Sequence, residues 1–236
     1  NLANDVYDFQ RGADTGERVG PVRVTHAGLI SAQQMMAATA ATIALAVVAG
    51  LYLVAQGGWP ILLLGLLAIV SAVAYTGGPA PLGYLGLGEA FVFLFFGFAA
   101  VAGTAYVQTR VLTPLALLAS VPLGAIVSGV LVVNNLRDID TDRAAGKRTL
   151  AVRWGPSGAR REYTVLLALA YLTPLAGWLA GVMPVWALLA WLSVPVAWSL
   201  ARRLWAGSGR ALNPLLGETA RLAVLFAIPF AIGLLL

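Results

Sequence analysis

The sequence predicts an all-α fold, a polytopic transmembrane helix bundle. Three observations carry that prediction. Of 236 residues, 60% are hydrophobic and only 11% charged, where a soluble domain has about 25% charged residues. No formal charge occurs from residue 24 to residue 88, nor from 163 to 201. A hydrocarbon core about 30 Å thick takes roughly 20 helical residues per crossing, so each run holds two crossings and a turn. Finally, Gly, Pro and charged clusters punctuate the apolar runs at crossing-length intervals. This composition excludes a cytosolic globular domain and a disordered chain. It also argues against nucleic acid as a partner, despite the net charge of +5. With no cysteine and one histidine, His26, thiol chemistry, Cys-ligated zinc and multi-histidine sites are absent as well.

In chain order, the first 30 residues are polar and carry Asp5, Asp8, Asp14 and Glu17. The sequence starts at Asn, with no basic region and cleavage site after it, and is expected to lack an upstream portion. Crossings are predicted at 31–55, 59–76, 89–108, 112–136, 163–181, 184–201 and 216–236. Gln56-Gly57-Gly58 before Pro60 separates the first two, and the Gly/Pro-rich stretch 77–88 ends the second. Thr109-Arg110, the charged stretch 137–161, Gly181 to Pro184 and 202–214 supply the remaining breaks. Pro114, Pro122, Pro174, Pro195 and Pro229 fall within crossings and are expected to kink rather than end them. Gly124 and Ser128, four apart, suit close helix contact.

Charge sets the orientation. If seven crossings alternate, 1–30, 77–88, 137–161 and 202–214 share one side, which carries thirteen basic residues against Arg110 alone opposite. Basic residues mark the cytoplasmic side. The expectation is therefore a multi-pass protein of the plasma membrane whose acidic clusters face the cytoplasm.

Seven of the ten acids lie in two short stretches, the first as above and the second Asp138, Asp140 and Asp142. Asn4-x-x-x-Asp8 recurs 130 residues later as Asn134-x-x-x-Asp138, each where an apolar helix gives way to a polar loop. Residues four apart share a helix face, so Asn134, Asp138 and Asp142 are expected to form one stripe. Asn4 and Asp8 would form a shorter one, with Asp14 reaching back after Gly12. Carboxylate pairs facing one cavity repel unless cations lie between them. Mg²⁺ suits oxygen ligands of this kind, usually with substrate phosphate oxygens completing its shell. Basic residues interleave with the acids: Arg11 and Arg18 in the first cluster, Arg143, Lys147 and Arg148 in the second. Acids, metal and Arg/Lys together read as a diphosphate site, and carboxylates near hydrocarbon usually mark function. A transporter would place its acids near mid-span, and these lie at helix ends. The Asp-x-x-Asp-Gly-x-x-Ala-Arg pattern of CDP-alcohol phosphotransferases does not occur.

Asn4-x-x-x-Asp8-x-x-x-Gly12-x-Asp14 and the run from Asn134 to Arg153 resemble the two signature motifs of UbiA-type intramembrane prenyltransferases. The resemblance is closest to the 1,4-dihydroxy-2-naphthoate polyprenyltransferases of menaquinone synthesis. It extends to Arg18-Val19-Gly20-Pro21, the stretch from Tyr75 through Gly77-Gly78-Pro79 to Tyr84, Gly88-Glu89 and Phe95-Phe96-Gly97, most of the chain to about residue 155. Many relatives carry a second Asp where this chain has Gly12, displaced here to Asp14.

The resemblance implies a single prenyltransferase domain over 1–236, N-terminally incomplete, with seven of nine expected helices visible. Its two motifs and their cytoplasmic loops occupy 1–30 and 137–161. It implies two Mg²⁺ ions held by Asp8, Asp14, Asp138 and Asp142, assisted by Asn4 and Asn134. Those ions and Lys147, with Arg11 and Arg148, would hold a polyprenyl diphosphate. An aromatic acceptor would attack its C1 carbon, with 1,4-dihydroxy-2-naphthoate expected and loss of CO₂ coupled to alkylation. Acceptors such as 4-hydroxybenzoate or a pigment precursor are the nearest rivals. Tyr75, Tyr84, Phe95 and Phe96 are candidates to shield the allylic cation, and Glu89 is a candidate for the acceptor site. Glu218 and Arg221, three apart on the last helix, are expected to pair.

Overall fold

A computed structural model describes residues 2, 24, 25, 27–75, 77 and 81–236. Its described residues are overwhelmingly helical and contain no strand. Helix α1 (Ala32–Gly57) begins with a reciprocal cap: Gln34 N–H donates to Ser31 Oγ, and Ser31 N–H donates to Gln34 Oε1. Gly58 turns the chain into α2 (Trp59–Ala74), which has Pro60 in its first turn. A 3₁₀ turn at Leu82–Leu85 leads into α3 (Gly88–Thr109), whose middle, Phe93–Ala102, widens into a π-helix. Helix α4 (Pro114–Arg137) is capped by Thr113 Oγ1, which accepts from Ala116 N–H. The six-residue α5 (Ile139–Ala144) follows, then α6 (Leu150–Leu179), capped by Thr149. Helix α7 (Val185–Ala206) is 3₁₀ up to Ser193 and α-helical beyond, and α8 (Gly209–Leu235) closes the described chain after one 3₁₀ turn.

Among the described residues, seven apolar helices stand where the sequence places its crossings, and six of them are long and apolar enough to cross a membrane. Helix α2, with 16 residues, spans roughly 24 Å and so falls short of a ~30 Å hydrocarbon core. The predicted crossing at 163–181 starts earlier than expected. Thr149 caps the helix ahead of the charged stretch, so Arg153, Arg160, Arg161 and Glu162 ride on its first turns rather than in a loop. Gly155, at φ 72° and ψ 178°, bends this helix near its start. Pro122, Pro174 and Pro229 lie inside helices, Pro114 sits in the first turn of α4, and Pro195 stands where α7 passes from 3₁₀ to α-helix.

Helix α4 is the axis of the bundle, packing against α3, α6 and α8. Small residues permit this. A Cβ on Gly124 would lie 2.8 Å from the Phe93 carbonyl oxygen and 3.1 Å from Gly97 Cα, so the α3 and α4 backbones touch there. The expected close contact at Gly124 and Ser128 is thus present, and Ser128 Oγ donates to the Glu89 carbonyl at 3.2 Å. On the other face of α4, the Tyr163 ring of α6 lies over Gly129, and its hydroxyl is 3.0 Å from Thr219 Oγ1 of α8. Lipid is as apolar as these side chains, so association rests on such packing and interhelical hydrogen bonds.

Candidate functional site

The site is built at the end of α4. The helix stops at Arg137, and Asp138 (φ −97°, ψ 12°) joins it to α5. The one-turn spacing nevertheless persists across the junction. Asp138 N–H donates to the Asn134 carbonyl at 3.1 Å, and Asp142 N–H to the Asp138 carbonyl at 2.8 Å. Asn134, Asp138 and Asp142 thus stand one backbone turn apart in sequence, on two helices instead of the one expected. Asp142 is buried, and Asn134 and Asp138 are half-buried.

Each carboxylate of the stripe faces a basic side chain. Arg137 Nε donates to Asp138 Oδ1 at 2.7 Å and Nη2 to Oδ2 at 2.6 Å, the fork-to-carboxylate arrangement. Arg137 Nη2 also reaches Asn134 Oδ1 at 2.9 Å, and Nη1 reaches Asn213 Oδ1 at 3.1 Å. Lys147 Nζ lies 3.3 Å from Asp142 Oδ1 and 5.0 Å from the centre of the Tyr84 ring. The backbone sets that lysine's position: α5 ends at Gly146 in a left-handed turn (φ 72°), and Lys147 N–H donates back to the Asp142 carbonyl.

The loop before α3 is fastened to this end. Arg148 N–H donates to the Tyr84 carbonyl at 2.9 Å, and Arg153 Nη2 to the Leu85 carbonyl at 2.8 Å. Gly86 (φ 71°) lets the two loops touch, since a Cβ there would lie 2.7 Å from the Arg148 carbonyl oxygen. The Arg148 side chain itself is exposed. Tyr75 lies against Gly83 and Gly88. Glu89, at the start of α3, is buried beside the stripe: Asn135 Nδ2 donates to its Oε1 at 2.7 Å, and its buried Oε2 has no hydrogen-bond partner.

Asn134, Asp138, Asp142, Lys147, Tyr84 and Arg148 thus share one end of the bundle, and Glu89 of α3 is held there by Asn135, the residue after Asn134 on α4. Asn4, Asp8, Arg11 and Asp14 lie outside the described residues. Phe96 does not join them; it is 57% exposed, with its ring turned outward, and Phe95 stacks on Phe91. Sequence reasoning missed Arg137, Asn135 and Asn213. Arg137 was legible as a basic residue directly preceding Asp138 and three after Asn134. Asn213, 76 residues away, carried no local signal.

Comparison with known proteins places this arrangement. The family model described as the UbiA prenyltransferase family matches residues 1–224. The chain belongs to the UbiA prenyltransferase family. It is therefore a multi-pass, membrane-bound prenyltransferase. Among its UbiA relatives, the 1,4-dihydroxy-2-naphthoate octaprenyltransferase of Escherichia coli (strain K12) is 37% identical over all of this chain and 79% of its own length. The protein of that name from Mycobacterium tuberculosis is 39% identical over 98% of this chain and 78% of its own. UbiA prenyltransferase domain-containing protein 1 of Gallus gallus is 32% identical over the whole chain and 69% of its own.

Proposed function

We propose that this protein transfers a polyprenyl group from a polyprenyl diphosphate to 1,4-dihydroxy-2-naphthoate in menaquinone synthesis, with release of diphosphate and CO₂. The observation that carries the chemistry is the stripe at the end of α4, in which carboxylates one turn apart each face a basic side chain. The names of the relatives at 37% and 39% identity support the acceptor.

The donor set suits Mg²⁺. Two carboxylates and an amide oxygen are hard ligands, and a carboxylate oxygen that accepts one hydrogen bond retains a further lone pair. Asp138, Asp142 and Asn134 would hold one ion here, and Asp8, Asp14 and Asn4 the second. Bound there, Mg²⁺ supplies positive charge against the diphosphate oxygens. Lys147, whose ammonium has three donors on a flexible stem, reaches the same oxygens, and Arg11 and Arg148 add positive charge. As the allylic C1–O bond breaks, its electron pair leaves with the diphosphate, and Lys147, with Arg11 and Arg148, stabilises that developing charge. Tyr84 and Tyr75 offer ring faces to the allylic cation. The acceptor's carboxylate-bearing ring carbon attacks C1. Loss of CO₂ then returns the C–C bonding pair to the ring and restores aromaticity. Glu89, with an unpartnered buried oxygen, accepts a hydrogen bond from an acceptor hydroxyl. The excess of basic residues on this side supports a site that faces the cytoplasm in the plasma membrane.

The test offers 1,4-dihydroxy-2-naphthoate and 4-hydroxybenzoate side by side with one polyprenyl diphosphate. Product is expected from the naphthoate alone, with label released as CO₂ from a carboxyl-labelled acceptor and turnover abolished by EDTA and restored by Mg²⁺. Prenylated hydroxybenzoate, or a product retaining the label, overturns the acceptor assignment.

A further inference from the structure

The buried guanidinium of Arg137 is the feature that this chemistry leaves unused. Its side chain is 2% exposed, and a charge persists at such a depth only if paired and hydrogen-bonded. Its donors engage three residues at once: both oxygens of Asp138, the amide oxygen of Asn134, and the amide oxygen of Asn213 at the start of α8. Two of the three are candidate oxygen ligands on the stripe, and the third belongs to a different helix. Arg137 also sits in the last turn of α4, where the helix dipole favours a cation. Lys147 differs: its side chain is 20% exposed, and its ammonium lies 3.3 Å from Asp142 Oδ1.

We propose that Arg137 is a positioning residue for prenyl transfer, and that Asn213 makes α8 part of the site. Arg137 acts through Asp138 and Asn134. It fixes the orientation of the carboxylate and the amide before any metal or diphosphate arrives, and the Asn213 contact fixes Arg137 in turn. A planar fork carries three partners in one plane; a lysine ammonium in the same place has no such geometry. The two basic residues thereby divide the work, with Arg137 holding ligands in place and Lys147 released to substrate. The inference rests on the proposed metal-assisted prenyl transfer and adds the residues that orient its ligands.

The test uses the full chain in lipid nanodiscs with Mn²⁺ as the metal probe and inorganic pyrophosphate as the anion, read by electron paramagnetic resonance. Partners that orient ligands typically contribute about 10–100-fold to metal affinity. Asn213→Ala and Arg137→Lys are expected to weaken Mn²⁺ binding about 10-fold, and Arg137→Gln up to ~100-fold. Prenyl transfer by Asn213→Ala should fall at limiting Mg²⁺ and recover when Mg²⁺ is raised about 10-fold, the shift expected from weakened ligand orientation. A fold defect would not be rescued by metal. Should Arg137→Gln fail to fold, Asn213→Ala, a change at a half-buried position that removes the Arg137 contact without touching the guanidinium, still decides. If Asp138→Ala loses Mn²⁺ while Asn213→Ala and Arg137→Lys bind it like the wild type, the positioning role is overturned and the metal site stands. If Asp138→Ala also binds Mn²⁺ like the wild type, or the wild type binds none, the metal reading falls and the positioning role falls with it.

Discussion

Helices α1 and α4 look alike as sequences, both long and strongly apolar, and they occupy opposite environments. In the most apolar 18-residue window of α4, 61% of residues are buried, whereas in that of α1 none are. Only Met35 and Gly57 of α1 are buried at all, and its Leu, Val and Tyr side chains face outward among the described residues. The difference lies in where small and polar residues sit. Helix α4 buries Ser120, Gly124, Ser128 and Gly129 on packed faces and ends in Asn134, Asn135 and Arg137. In lipid, apolarity alone does not bring helices together. Close backbone approach and interhelical hydrogen bonds do.

That contrast can be broken or sharpened by substitution. The largest effect is expected at the tip of α4. Asp138→Ala should lower prenyl transfer more than ~100-fold, because it removes a proposed carboxylate ligand and strands the buried Arg137 charge. Turnover within 10-fold of wild type would show that the stripe is not the reacting end. Next, Gly124→Leu should cost about 1–3 kcal/mol, read as a lower unfolding temperature in detergent. Its Cβ would meet Phe93 O at 2.8 Å. The matched change on the other helix, Gly50→Leu, meets nothing within 4 Å and should leave that temperature unchanged. Equal losses would erase the distinction between the two helices. Lys147→Ala should raise the donor KM about 10-fold, the size of one charge-assisted contact of ~1.4 kcal/mol, with the acceptor KM little altered. The smallest effect belongs to Glu218→Ala. Its partner is Arg203 on α7, not the expected Arg221, and both side chains are more than 40% exposed. Loss of so exposed a pair should cost less than about 1 kcal/mol.

The positions of the apolar helices were legible because crossing length and charge exclusion are properties of a local stretch. So was the Asn134–Asp138–Asp142 stripe, whose one-turn spacing survives the helix break because the backbone hydrogen bonds continue across it. Contacts between distant helices were not. Local spacing favoured Arg221 for Glu218, and the Arg203 pairing exists only because α7 and α8 lie side by side. The π-helical stretch of α3 likewise left no trace in composition, and Phe96, which lies within it, is exposed rather than part of the aromatic group assigned from the sequence. The Arg137–Asn213 bond joins residues that no spacing rule relates.

The backbone bond from Arg148 to Tyr84 has a mechanical consequence. With the Arg153 contact to Leu85, it ties the approach to α3 and the approach to α6 into a single part. Whatever displaces Tyr84 therefore drags the Lys147–Arg148 turn with it. Ring, ammonium and the Asp142 carboxylate keep their order while they move.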